Sequence, residues 1–110
     1  MKKRWGSYKV LAEGKDFKVK LLEIKPKSAT SIQKHFKRSE YWFFLDNKDS
    51  MRKIAIGQIH QLINPTNRIL RVLEIQLGEC KEKDIKRYSC VKNRQEGADI
   101  FFNQVVTLFV

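Results

Sequence analysis

At 110 residues the chain has room for one domain, large enough to bury a core without disulfides or a structural metal. Hydrophobic residues at 42% exclude a disordered chain, and no apolar run approaches the roughly 18 residues of a membrane helix. Lys and Arg number 23 against 12 Asp and Glu, and the net charge of +11 favours anionic partners.

Those charges are dispersed and accompany no nucleic-acid motif, so a phosphorylated small molecule fits them as well as a polynucleotide. The basic start, MKKRWGSYKV, is not followed by the apolar segment of a signal peptide. Cys80 and Cys90 form neither a CxxC pair nor a disulfide framework. Reduced thiols in a cytoplasmic protein are expected.

Taken in order, RWGSY (residues 4–8) predicts a tight entry turn flanked by aromatic packing. FKVKLLEIK (17–25) predicts a half-buried strand. Phe17, Val19 and Leu21 alternate against Lys18 and Lys20, then the phase shifts to Leu22 and Ile24 as across a bulge. After a turn at 25–28, a second strand is expected over 30–35 and a polar turn over 37–39. EYWFFL (40–45) is an aromatic strand, followed by the polar turn DNKD (46–49). Short strands are expected at 53–56, entering Gly57, and at 60–63, ended by NPTN (64–67). ILRVLEIQL (69–77) is the longest strand, with Ile69, Leu73, Ile75 and Leu77 on one face and Gly78 closing it. Residues 82–88 fit a helical turn or a strand, 94–98 a loop, and FFNQVVTLFV (101–110) an apolar terminal strand. Frequent turns and no amphipathic helix predict an all-β barrel or sandwich.

Two segments carry chemistry. Gln33 and His35, spaced i, i+2, share one face of a strand. Glu40 follows across a polar turn and can face the same cavity, and His60 arrives from a third segment after Gly57. Two imidazoles, a carboxylate and an amide oxygen suit zinc, iron, manganese or cobalt, with positions left open for water or substrate. Either histidine alone reads more readily as a polar surface residue near a strand end than as a ligand; order and spacing in both segments together give the metal reading its weight.

The pattern QxHxxxxE (33–40) followed by GxxHxxxNP (57–65) resembles the cupin superfamily. More closely, it resembles the cupin domain of type II mannose-6-phosphate isomerases, usually the C-terminal part of a bifunctional mannose-1-phosphate guanylyltransferase. The similarity extends over roughly residues 4–88, through RWGSY, KVK (18–20), IKPKS (24–28), QKHFKRSEYW (33–42), IGQIHQLINP (56–65), EIQLGE (74–79) and DIKRY (84–88). The resemblance implies a small cupin-type jelly-roll β-barrel over 1–88, with Gln33, His35, Glu40 and His60 as ligands of a divalent metal. Zinc is foremost; cobalt, manganese and iron are alternatives. It further implies Arg38, Arg87 and Lys18 as phosphate-binding residues, and Glu40, Glu74 or Lys20 as the base. The implied reaction interconverts mannose 6-phosphate and fructose 6-phosphate. A non-catalytic cupin that binds a sugar phosphate or sugar nucleotide beside a separate guanylyltransferase is the alternative. The chain departs from the family where residues 45–50 replace a hairpin, leaving the barrel about two strands short. The extension 89–110 is expected to fill that gap, within its own subunit or by exchange in a homodimer.

Overall fold

The computed structural model describes residues 1–46, 50–88 and 106–108, the last three by their backbone alone. The described chain is built of strands: β1 (Lys2–Lys3), β2 (Gly6–Glu13), β3 (Phe17–Ile24), β4 (Ser28–Ala29), β5 (Ile32–Lys34), β6 (Arg38–Phe44), β7 (Met51–Ile54), β8 (His60–Asn64), β9 (Leu70–Gly78), β10 (Lys86–Tyr88) and β11 (Val106–Leu108). One sheet runs β1-β2-β3-β9-β6-β7; the other runs β10-β5-β8-β11, with β4 also on β8. The pairings are antiparallel except that of β11 with β8. This is the all-β architecture expected. No helix among the described residues is long and apolar enough to cross a membrane.

The interior is graded along the strands. Period-two alternation puts every second residue of β3, β9 and β6 inside. Ile24 pairs with Leu70, and Leu22, Val72 and Phe44 form the next rung. With Ile54, Leu62 and Trp42 these residues make the buried core. One step further the rung is Lys20, Glu74 and Trp42, and beyond it Lys18, Gln76 and Glu40. The same strand faces therefore begin as core and end as the wall of a polar cavity.

This gradient reverses two expectations. On β9 the inward residues are Leu70, Val72, Glu74 and Gln76, whereas Leu73, Ile75 and Leu77 point outward and Ile69 precedes the strand, exposed. On β3 there is no change of phase: Lys20, Leu22 and Ile24 are inward and the register with β9 is unbroken. The irregularity lies instead in β2, between Val10 and Ala12. Apolar residues on the outer face pair with one another, Leu21 with Leu73 and Val19 with Ile75, which is why their pattern imitates a core face.

Two turns differ as well. Arg38 and Ser39 belong to β6 rather than to the preceding turn, leaving residues 36–37 to make it. Gly78 lies opposite Arg38 with φ +118°, and a Cβ there would stand 2.4 Å from the Lys37 carbonyl oxygen. Residues 82–88 resolve into a turn followed by β10. β6 passes to β7 through residues 45–50, of which 47–49 lie outside the described residues. So do the expected loop at 94–98, Cys90 and all of the 89–110 extension except β11. Cys80 is a free thiol, its Sγ 3.2 Å from the Gly78 carbonyl.

Asn64 ties the apolar end together. It is fully buried; its Nδ2 lies 3.0 Å from the Ile24 and Lys25 carbonyls and 2.7 Å from that of Arg68. Its Oδ1 accepts from the Thr66 amide and hydroxyl. Removing this side chain strands buried carbonyls on two connections at once. Asn64→Ala should lower the unfolding free energy by about 2–4 kcal/mol, read by urea denaturation. A loss below about 0.5 kcal/mol would rule out this role.

Candidate metal centre

Three elements deliver one side chain each to a single point. His35 follows β5, Glu40 is central in β6, and His60 opens β8. All three are buried, and their candidate ligand atoms lie within 4.8 Å of one another. His35 Nε2 is 3.2 Å from Glu40 Oε2, and His60 Nε2 is 3.6 Å from Glu40 Oε1. The imidazole centroids are 5.1 Å apart.

The other ring nitrogens explain the orientation. His35 Nδ1 is 2.6 Å from the Asp84 carbonyl oxygen, and His60 Nδ1 is 2.9 Å from that of Gln58. A carbonyl can only accept, so each Nδ1 carries a proton and each ring turns its Nε2 toward Glu40. Two Nε2 atoms and a carboxylate facing one point call for positive charge: Arg38 supplies part of it from one side, and a proton or a metal between the three groups supplies the rest. Backbone-anchored imidazoles are how histidine ligands are held. The residues present therefore fit a divalent metal.

Glu40 and His60 line a cavity of about 370 Å³. Gln33 lines it; it is the register partner of His60, and its Nε2 is 3.3 Å from both oxygens of Ser31. Arg87 is exposed on β10 opposite Gln33 and lines the cavity too. Arg38 is buried, donating to Glu40 Oε2, His35 Nε2 and the Lys81 carbonyl. Lys20 and Glu74 line the cavity, and Lys18 sits between Glu13 and Glu82. The structure thus gathers His35, Glu40 and His60 at one point with Arg38 against them, while Arg87 stands apart.

Residues 1–53 match the family model described as mannose-6-phosphate isomerase, C-terminal. The alginate biosynthesis protein AlgA of Pseudomonas syringae pv. tomato is 30% identical across 86% of this chain and 23% of its own length. A mannose-1-phosphate guanylyltransferase of Sinorhizobium fredii is 32% identical across 67% of this chain and 17% of its own. The chain resembles the cupin domain of type II mannose-6-phosphate isomerases. It spans under a quarter of the length of these curated relatives. A cupin sugar phosphate isomerase from Silicibacter pomeroyi superposes with a TM-score of 0.46 and 15% identity, covering 56% of this chain and 50% of that one.

The structure adds residues that the motifs did not single out. Trp42 Nε1 lies 3.2 Å from both Glu40 Oε1 and Glu74 Oε2 and so links the two carboxyl groups. Gln76 donates to Glu74 Oε1 at 2.7 Å. Asp84 accepts from the Phe36 and Lys37 amides, fixing the turn that carries His35. Glu82 meets Lys20 at 2.7 Å. Gln76 and Trp42 had a sequence signal, each two residues after a glutamate on one strand, Glu74 and Glu40; the remaining contacts join residues too far apart for spacing to show.

The two linked carboxyls are pushed in opposite directions. Burial pushes Glu40 upward, but the His35 hydrogen bond and the His60, His35 and Arg38 charges outweigh it and bring the group down to about 2. Burial drives Glu74 up to about 8, reinforced by the Glu40 charge and opposed by Lys20. His60 is lowered, burial outweighing the pull of Glu40. Glu40 thus contributes stability that is present above its ordinary 4.5 and lost as pH falls toward 2. Glu74 has the reverse sign: the folded chain keeps a proton that the unfolded chain releases, so stability falls as pH rises from 4.5 toward 8. Glu74→Gln should remove most of that fall, on the order of a few kcal/mol between about pH 5 and about pH 8. Urea denaturation at both pH values measures it, and an unchanged fall would exclude Glu74 as the titrating group.

Proposed function

We propose that this chain is a metal-dependent sugar-phosphate isomerase interconverting mannose 6-phosphate and fructose 6-phosphate. The observation that carries the reading is the convergence of two backbone-oriented Nε2 atoms and the Glu40 carboxylate beside a cation-lined cavity. His35, Glu40 and His60 would hold the ion, with Gln33 as the fourth ligand and zinc, cobalt, manganese or iron as its identity. Such an ion supplies Lewis acidity to the carbonyl and hydroxyl oxygens of an open-chain sugar.

The protein's own groups would do the rest. Isomerisation moves a proton from C2 to C1 through an enediolate and needs a base whose affinity for protons lies near the working pH. Glu40 is held far too acidic and is engaged by its neighbours. Lys20 is paired with Glu82. Glu74, at about 8 and lining the same cavity, fits the role, with Trp42 and Gln76 fixing its carboxyl. Ionised, Glu74 takes the C2 proton; protonated, it returns it at C1. Arg87, with Lys3 and Arg4 on the same cavity, adds positive charge that draws an anionic substrate in.

Arg38 favours a second reading, a non-catalytic cupin that binds a sugar phosphate or sugar nucleotide beside a guanylyltransferase. Its guanidinium already engages both Glu40 and His35. A coupled assay for fructose 6-phosphate with added zinc, cobalt or manganese separates the two. We expect metal-dependent turnover that falls at least about 100-fold in His60→Ala. Turnover that survives the substitution would overturn the metal role, and saturable binding with no turnover under any metal would select the binding module.

A further inference from the structure

Lys18 and Lys20 aim their ammonium groups at one oxygen, Glu82 Oε1, at 3.6 and 2.7 Å. The Lys20 side chain is 6% exposed and that of Lys18 14%. Lys20 Nζ also sits 4.4 Å from the Tyr8 ring centroid, and Lys18 has a longer contact with Glu13 at 3.7 Å. Buried ammonium groups need an anion. The anion they have is on a side chain 56% exposed, in the loop between β9 and β10. That loop is pinned on both sides of Glu82, by Arg38 on the Lys81 carbonyl and by Asp84 on the 36–37 turn. Glu82 can therefore leave the lysines by side-chain rotation alone, without the loop opening.

We propose that Lys18 and Lys20 form an anion subsite for a phosphate monoester or free phosphate, and that Glu82 fills it in the free protein as an internal competitor. The identity of the ligand as a sugar phosphate rests on the isomerase reading; the anion subsite does not. Two ammonium groups on one carboxylate oxygen reproduce how a phosphate oxygen is held, and Lys20 and Glu82 both line the cavity of the candidate metal centre. Incoming phosphate takes the lysines and Glu82 returns to water. Lys20 is thereby an anion-holding group rather than a base.

An internal competitor lowers apparent affinity by the fraction of molecules in which it is displaced. Glu82→Gln should therefore tighten the dissociation constant for inorganic phosphate about five- to tenfold by calorimetry on the full chain. Glu79→Gln removes an acid of the same loop that is paired with Lys37 and Lys81, and should change it less than about twofold. Lys20→Met in the Glu82→Gln background should abolish the gain. Lys18→Met, at the less buried position, is the second variant should Lys20→Met fail to fold. Equal tightening in Glu82→Gln and Glu79→Gln would reduce the effect to general electrostatics and overturn the proposal, as would phosphate binding unchanged in both lysine variants. Phosphate binding with these responses but no isomerisation sinks the isomerase reading alone. Isomerisation whose KM for mannose 6-phosphate does not move in Glu82→Gln sinks the subsite alone.

Discussion

The burial of the Glu40 carboxylate is the constraint from which most of the site follows. A carboxylate removed from water is tolerated only with positive charge and hydrogen-bond donors around it. Here Arg38 and Trp42 donate to it and two imidazoles face it. Each of these needs an anchor of its own. Arg38 reaches the Lys81 carbonyl, and the histidines reach the Asp84 and Gln58 carbonyls. The loop between β9 and β10 is thus fixed in place by the electrostatics of a residue on β6. Local sequence alone would not order that loop; the demand for donors and acceptors around Glu40 does.

Trp42 then turns one perturbed group into two. Its single N–H is shared between Glu40 and Glu74. Glu40 has enough positive charge to remain ionised, and its charge helps to keep a proton on Glu74. Two carboxyls of one chemical type thereby take opposite protonation states in one cavity. That separation lets one serve as an anionic cradle and the other exchange a proton near neutral pH.

Much of this was legible from the sequence, and the part that was not has a single physical origin. Strand positions were readable because alternation and turn chemistry mark them: the NPTN turn ends β8, and Gly78 ends β9. The direction in which strands face was not. Reading a strand's apolar side as its inner side assumes an apolar interior, and that assumption fails where β3, β6 and β9 enter the cavity. Lys20, Glu74 and Gln76 are inside while Leu73 and Ile75 are outside. The histidines and Glu40 were legible because their motifs are local. The Asp84 bond to His35 spans 49 positions and the Glu82 bond to Lys20 spans 62, so no spacing rule could join them.

The same gradient divides the labour between the two ends of the barrel. The rungs of Leu22, Val72 and Phe44 and of Ile24 and Leu70 bury apolar surface, and Asn64 closes the connections beside them. That end supplies the hydrophobic stabilisation. The opposite end holds Lys20, Glu40, Glu74 and Gln76 at or below 8% exposure, where desolvation works against folding. Gln76 shows the cost most directly. Its Nε2 is committed to Glu74, and its buried Oε1 finds no donor among the described residues, a penalty of about 1–3 kcal/mol. As the register partner of Glu40, Gln76 holds that acceptor beside the candidate metal centre. A leucine there would pack without the penalty but would leave the Glu74 carboxyl held by Trp42 alone. The polar rungs are thus kept at the expense of stability, and the apolar rungs must be good enough to carry them.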